Sequence, residues 1–413
     1  MKKAISLILA LSMSALMLVG CGSSGGSSSG SADGKSSSSA ESKLDSSNIK
    51  VGVIYVGDEN EGYTEAHMTG IKEMKKSLGL SDGQIIEKTG IPEDEKCYDA
   101  AVDLAEQGCN IIFANSFGHE DYMIQAAEEY PDIQFCHATG FKAASSKLSN
   151  MHNYFTAVYE SRYVSGVVAG LKLNEMIEKG TITKDKCKIG YVGAYPYAEV
   201  ISGYTAFFQG VKSVCDAATM EVKYTNSWAS IDLEKSTAEA LIADGCVLIS
   251  QHADTTGAST ACEAAGVPIV GYNVSMIATA PNTALTSASI NWGPYYTYAV
   301  KSLIDGKAID TDWCQGYKDG ADCITELNSK VIAEGTEEKV KEVEDGIKNG
   351  SIHVFDTSKF TVNGSSLDDL IKTNDDYKKY ADNVSDGYYH ESEKISAPSF
   401  DIKIDGIKEL TNN

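Results

Sequence analysis

The chain has 413 residues, 42% of them hydrophobic, and carries 58 acidic side chains against 35 Lys and Arg, a formal net charge of −23. So acidic a chain is poorly matched to the phosphate backbone of a nucleic acid or to an anionic lipid surface, and no nucleic-acid partner is expected. Its length exceeds one ordinary core and suits two domains.

Lys2 and Lys3 precede an apolar run from Ala4 to Gly20, the charged and apolar regions of a secretory signal. The run is at the short edge for a membrane span, and no basic flank follows it. Leu18-Val19-Gly20-Cys21 has the form of a lipobox. Residues 1–20 therefore read as a lipoprotein signal peptide and Cys21 as the acylated (palmitate-bearing) new N-terminus; a plain signal peptide or a single anchor helix is the blander reading. Of residues 22–48, 13 are serine and Leu44 is the one large apolar side chain, too little apolar surface to offset the entropy of ordering. Residues 21–48 read as a Ser/Gly linker with a reach of roughly 30 Å. The folded part is thus expected on the extracytoplasmic face of the cell membrane, held by lipid.

The next elements alternate. Residues 50–56 (KVGVIYV) read as a buried strand, followed by a polar loop and a helix from Gly62 to Leu78 with Met68, Ile71, Met74 and Leu78 on one face. Helices near 95–107 and 120–129 flank buried strands at 110–116 and 132–140. The later chain repeats the scheme: a strand at 188–194, a helix from about Tyr197 to Val214, and strands at 246–254 and 267–275. Val51 to Ile111 is 60 positions and Ile189 to Val247 is 58. Alternating strands and helices imply parallel sheets covered on both faces. Two such lobes make a cleft, and ligands of open parallel sheets lie beyond the carboxyl ends of the strands.

The loops at those ends hold Asn60, Tyr63, Asn115, Ser116 and Phe117 in the first half. The second half supplies Tyr195, Pro196, Glu199, Trp228, His252, Asp254, Tyr272 and Asn273, with Asn291 and Trp292 after a further strand. Aromatic faces can sandwich a planar ring, and amides and carboxylates can read its edge. The loops lack a Lys/Arg cluster, which argues against a phosphate-like ligand. Each residue also has a plain reading: a single Trp or Tyr at a strand end is commonly rim or core. Glu199 could simply complement its helix N-terminus, and His252 could hold a loop.

The chain lacks GxSxG, GxxxxGK[ST] and GxGxxG patterns, and His119-Glu120 has Met123 where a zincin needs histidine. No catalytic residue, metal or cofactor is expected. Nine cysteines remain besides Cys21, without a CxxC pair; buried free thiols are the default, with Cys314–Cys323 the one bridge considered.

Several stretches carry a family resemblance: VGVIYVGDENEGYTEAHMTGIK, YPYAEVISGYTAFFQG, NSWASIDLEKSTAEALIADGCVLISQHADTTG and LTSASINWGPYY. Over roughly residues 50–355 the sequence resembles the basic membrane protein family, the substrate-binding lipoproteins of ABC importers. The resemblance implies a type I periplasmic-binding-protein fold, two α/β lobes joined by a three-crossing hinge, and purine nucleosides or nucleobases as ligands. It places the ring-stacking aromatic at Tyr63 and puts Trp228, Asp254, Asn273 and Trp292 on pocket loops. Where the family often has G-x-D-S-D, this chain has GYNVSM, so Asn273 and Ser275 replace two carboxylates and a bare base is left open as ligand.

The expected lobes are 49–157 with 290–312 and 158–289 with 313–360, and residues 361–413 form a C-terminal extension. Tyr63 and Phe117 are expected to stack from one lobe and Trp228 from the other, with Asn115, Glu199, Asp254 and Asn273 reading the ring edge. Asn60, Tyr195 and Trp292 complete the candidate ligand set. The expected function is delivery of a purine-like solute, by a monomer, to an ABC permease with its ATPase. A ligand-sensing ectodomain for a membrane signalling partner and a nucleoside-processing surface enzyme are the alternatives.

Overall fold

The computed structural model describes residues 44–410. The leader, the acylation site expected at Cys21 and most of the linker lie outside the described residues.

The first lobe begins with β1 (Val51–Ile54), α1 (Gly62–Leu78), β2 (Ile85–Lys88), α2 (Glu95–Glu106), β3 (Ile111–Ala114) and α3 (Glu120–Glu129). It continues through β4 (Gln134–Ala138), a one-turn α4 (Ala143–Ser146) and β5 (Met151–Thr156). The chain then crosses into α5 (Tyr159–Glu178), β6 (Lys188–Gly193), α6 (Ala198–Val214), β7 (Thr219–Tyr224) and α7 (Ile231–Ala243). There follow β8 (Leu248–Gln251), α8 (Gly257–Ala265), β9 (Ile269–Tyr272) and β10 (Ala284–Ile290). It returns for α9 (Gly293–Ile304) and β11 (Asp312–Gln315), and crosses a third time into β12 (Asp322–Ile324) and α10 (Thr336–Lys348).

The first sheet is ordered β2-β1-β3-β4-β5-β11 and is parallel throughout. A C-terminal strand, β13 (Ile407–Glu409), joins the second sheet, which runs β13-β7-β6-β8-β9-β10-β12 and is parallel except for β12. The inner strands are apolar runs because helices cover both faces of each sheet. This is the two-lobed type I periplasmic-binding architecture. Residues 313–315, expected in the second lobe, instead pair with Tyr154, Phe155 and Thr156 in the first sheet.

Local chemistry sets the element ends that matter for the cleft. Glu61 caps α1 by accepting from the backbone N–H groups of Tyr63 and Thr64, which fixes the first turn and aims Tyr63. The helix stops at Gly79, whose φ of 68° lets the chain turn back with Leu80 N–H on the Lys75 carbonyl. The first lobe's core is strongly aromatic: Trp292 stacks on His67 at 3.9 Å, and His67 Nδ1 meets the Tyr296 hydroxyl at 2.6 Å. Burial holds the His67 imidazole well below its ordinary pKa, so it is neutral there.

Residues beyond α10 pack on the second lobe. Leu367, Phe400, Ile402 and Ile404 are buried in its core, and Glu409 accepts from the hydroxyls of Tyr204 (2.9 Å) and Tyr224 (2.6 Å). The tail thereby covers α5 and α6 and protects the β7 edge. Cys314 and Cys323 lie in different sheets, and the cysteines from Cys97 to Cys323 are free thiols. Cohesion within the described residues therefore rests on packing.

Where α5 and α6 meet, backbones touch. A Cβ on Gly210 would lie 2.0 Å from the Tyr163 carbonyl oxygen, and one on Gly166 would lie 2.1 Å from that of Phe207. Backbone cannot step aside as a flexible side chain can, so Gly210→Ala should cost about 1–3 kcal/mol of stability in urea unfolding. Gly83→Ala, into open space, should stay within about 0.5 kcal/mol.

Candidate ligand-binding cleft

The carboxyl ends of the strands in both sheets open onto one cavity of about 310 Å³ between the lobes. The first lobe supplies Val56, Gly57, Glu61, Tyr63, Glu93, Asn115, Ser116, Phe117 and Thr139; the second supplies Tyr195, Glu199, Ser227, Trp228, Ala229, Asp254 and Tyr272. The lobes touch beside it: Gly62 N–H donates to the Asp254 carbonyl at 3.1 Å. Phe117 also reaches the Tyr197 ring of the other lobe at 6.2 Å, tilted by 30°.

Seven of the ten expected ligand residues stand on the wall: Tyr63, Asn115, Phe117, Tyr195, Glu199, Trp228 and Asp254. Three do not. Trp292 is buried in the first lobe's core, where its ring edge-packs on Tyr63 at 6.1 Å and backs that ring from behind. Asn273 is buried one layer out, in the left-handed backbone region (φ 63°) that asparagine tolerates, and its amide donates to Asp254 Oδ1 at 2.8 Å. Asn60 lies exposed in the loop before α1, its amide on Asp58 Oδ1 at 3.0 Å. Ser275 likewise turns outward, donating to Glu326 at 2.7 Å.

Several wall residues escaped the sequence reading. Glu93 comes from the β2–α2 loop and accepts from the Ser116 hydroxyl and Gly118 N–H, both at 2.7 Å. Its strand, β2, is an edge strand of mixed polarity, IIEK, and gave no clear pattern. Glu61, the N-cap of α1, comes from the polar loop that precedes that helix. Thr139 and Ser227 lie just past β4 and β7, the one signal that could have found them.

The cavity wall is acidic. Asp254, buried and close to Glu61, Glu234 and Glu199, has its carboxyl held well above the ordinary range, opposed by the Asn273 amide. Burial pushes the Glu199 carboxyl up to about 7, opposed by Arg162. Glu61 is raised too, chiefly by burial. Among the described residues, no Lys or Arg lines the cavity. The cation behind it is Arg162, buried, with its guanidinium 3.6 Å from the Tyr272 ring centre and Nη1 donating to the Gln251 carbonyl at 2.7 Å. His252, kept neutral by burial and Arg162, sits 3.4 Å from Glu199 through Nε2 and 3.3 Å from the Tyr191 hydroxyl through Nδ1. With Nε2–H donating to Glu199, the Tyr191 hydroxyl donates to Nδ1.

Among the described residues no group of three or more His, Cys, Asp and Glu side chains is placed to hold a metal ion. Nor is any described helix long and apolar enough to cross a membrane. What the arrangement offers is flat apolar faces from both lobes and hydrogen-bonding groups between them.

Comparison with known proteins gives the same architecture a family. Residues 48–358 match the family model Bmp, ABC transporter substrate-binding protein PnrA-like. The chain is similar to a purine-binding protein of Brucella abortus, 33% identical over 78% of this chain and 89% of that protein. It is also similar to a putative ABC transporter glucose-binding protein of Haloferax volcanii, 28% identical over 76% of each. Among solved structures, a solute-binding protein of an ABC transporter system from Aeropyrum pernix superposes with a TM-score of 0.62 at 17% identity, covering 81% of this chain and 97% of that one. Another from Conexibacter woesei gives 0.61 at 18%, covering 74% and 98%. The chain belongs to the Bmp family of PnrA-like ABC transporter substrate-binding proteins.

Proposed function

We propose that this protein is the lipid-anchored, extracytoplasmic receptor of an ABC importer, that it acts as a monomer without cofactor or catalysis, and that its lobes close on a purine nucleoside or nucleobase for delivery to the permease. The observation that carries the reading is the placing of rings on opposite walls of one cavity. Tyr63 and Phe117 stand on one lobe and Tyr195, Trp228 and Tyr272 on the other. A flat heterocycle between such faces gains about 1–3 kcal/mol per stacked ring. The purine-binding Brucella relative supports the ligand class, and the acidic wall disfavours phosphorylated solutes. Anchoring through Cys21 rests on the lipobox alone.

The three crossings are the natural hinge. Bonds between them join the lobes at their base: Thr156 Oγ1 to Asp322 Oδ1 and Tyr317 N–H to Glu160, both 2.7 Å. Opening would break the Gly62–Asp254 contact and separate Phe117 from Tyr197 while leaving these in place.

A hexose is the competing ligand, because the Haloferax relative bears a glucose-binding name and aromatic faces beside carboxylates also suit a sugar. Calorimetric titration of the full chain with adenine, adenosine, inosine and D-glucose decides. Binding of at least one purine, with glucose silent, is expected; binding of glucose alone refutes the purine reading. Trp228→Ala should weaken purine binding by roughly 5- to 150-fold, equivalent to about 1–3 kcal/mol. Tyr63→Phe, which removes only the hydroxyl that donates to the Asn115 carbonyl at 2.6 Å, should retain most of the affinity that Tyr63→Ala loses.

A further inference from the structure

Far from the cleft, in the second lobe, two thiols touch. Cys187, the residue before β6, has its Sγ 3.7 Å from the Sγ of Cys215, the C-cap of α6. Both residues are buried, each 2% exposed. Backbone bonds fix the approach: Thr219 N–H donates to the Cys187 carbonyl at 3.0 Å, and Ala218 N–H donates to the Cys215 carbonyl at 3.3 Å. Two consecutive residues at the start of β7 thus hold both cysteines. Among the described residues no other two cysteines share a hydrogen bond.

We propose that Cys187 and Cys215 are a disulfide-forming pair, closing to a covalent bridge that ties the C-terminal end of α6 to the start of β6. Disulfides form and persist on the oxidising, extracytoplasmic side of a membrane, where the function proposed above puts this lobe. A bond of about 2.05 Å asks for a further approach from 3.7 Å, which turning the two short side chains and a small backbone shift can supply. The contact also prepares the chemistry. Hydrogen bonding from Cys187 holds the Cys215 thiol below its ordinary range, with the backbone N–H groups of Ala217 and Ala218 adding to the effect. The same contact, with burial, pushes the Cys187 thiol up. Cys215 is therefore the sulfur that ionises first and attacks.

The oxidant is itself a disulfide, of a small thiol or of a thiol–disulfide oxidoreductase. The Cys215 thiolate attacks one of its sulfurs, the S–S bond of the oxidant breaks, and the first thiolate leaves and takes up the proton that Cys215 released. Cys187 then attacks Cys215 Sγ in the mixed disulfide, and the second thiolate leaves with the Cys187 proton. Two electrons pass from the protein dithiol to the oxidant, which ends as two thiols. Because both sulfurs are buried, exchange proceeds as the lobe folds or as the end of α6 opens locally. The bridge spans 28 positions of chain and restrains the unfolded state. It also fastens α6, whose first turn carries Glu199 to the cleft, onto the sheet it covers.

The test is a thiol map of the full chain after unfolding and refolding in glutathione disulfide. The refolded protein is denatured, its free thiols are blocked with iodoacetamide, and its disulfides are then reduced and labelled with N-ethylmaleimide before peptide mass spectrometry. Cys187 and Cys215 are expected to carry the second label, and the other seven cysteines from Cys97 to Cys323 the first. Reduction should lower the unfolding temperature by about 3–10 °C in the wild type and in Cys97→Ser, and leave Cys215→Ser unmoved. Cys187 and Cys215 both taking the first label, or either of them linked to a different cysteine, overturns the inference. Purine binding is read separately by titration, so that failure leaves the proposed function standing.

Discussion

The site depends on a close backbone contact at which the two lobes meet, made at a glycine. Gly62 N–H donates across the cleft to the Asp254 carbonyl, and a Cβ on Gly62 would sit 3.1 Å from that oxygen and from Val274 Cγ2. The contact joins the first turn of α1 to the loop after β8, so it brings Tyr63 and Asp254 to the same cavity. The aromatic walls follow from it. Phe117 meets Tyr197, which lies beside Tyr195 and Trp228 at 5.1 and 6.2 Å, so the rings form one continuous rim over the mouth.

Behind the wall lies a second layer that holds it in place. His67 and Trp292, stacked on each other, both pack edge-on to Tyr63, at 4.5 and 6.1 Å. Asn273 locks Asp254, and Arg162 underlies Tyr272. A stacking ring loses little entropy on binding when it is already wedged in one orientation. The acidic wall has the opposite character. Burying Asp254 and Glu199 raises their carboxyls toward the neutral form, so the empty cleft holds protons that an unfolded chain would have released. Between the ordinary carboxylate range and about pH 7 the folded state therefore binds more protons, and these groups make it less stable as pH rises.

Much of this was legible from residue order. The helix Gly62–Leu78 has the bounds its pattern implies, and the two-half repeat is real: Val51 pairs with Ile111 in the first sheet and Ile189 with Leu248 in the second. Strand ends located nine wall residues, Ser116 and Tyr272 included, because chain position alone puts them over the sheet. What failed was depth. Trp292 and Asn273 sit on the right loops, but the path of the side chain, inward or cleftward, depends on packing partners far away in sequence. Glu93 was invisible because β2 lacks the apolar run of an inner strand. The tail's apolar residues are scattered, so the sequence left open whether it wraps one lobe or stays partly loose. Phe400, Ile402 and Ile404 nonetheless fill the second lobe's core, and residues 359–410 lie beyond the family match.

The central claim is that a flat ring lies between aromatic faces of opposite lobes. A crystal structure of the protein with adenine tests it most directly. The account predicts the base in the cleft, its plane roughly 3.5–4 Å from the Trp228 indole and its other face toward Tyr63 or Phe117. Adenine bound elsewhere, or lying edge-on to all three rings inside the cleft, would contradict it.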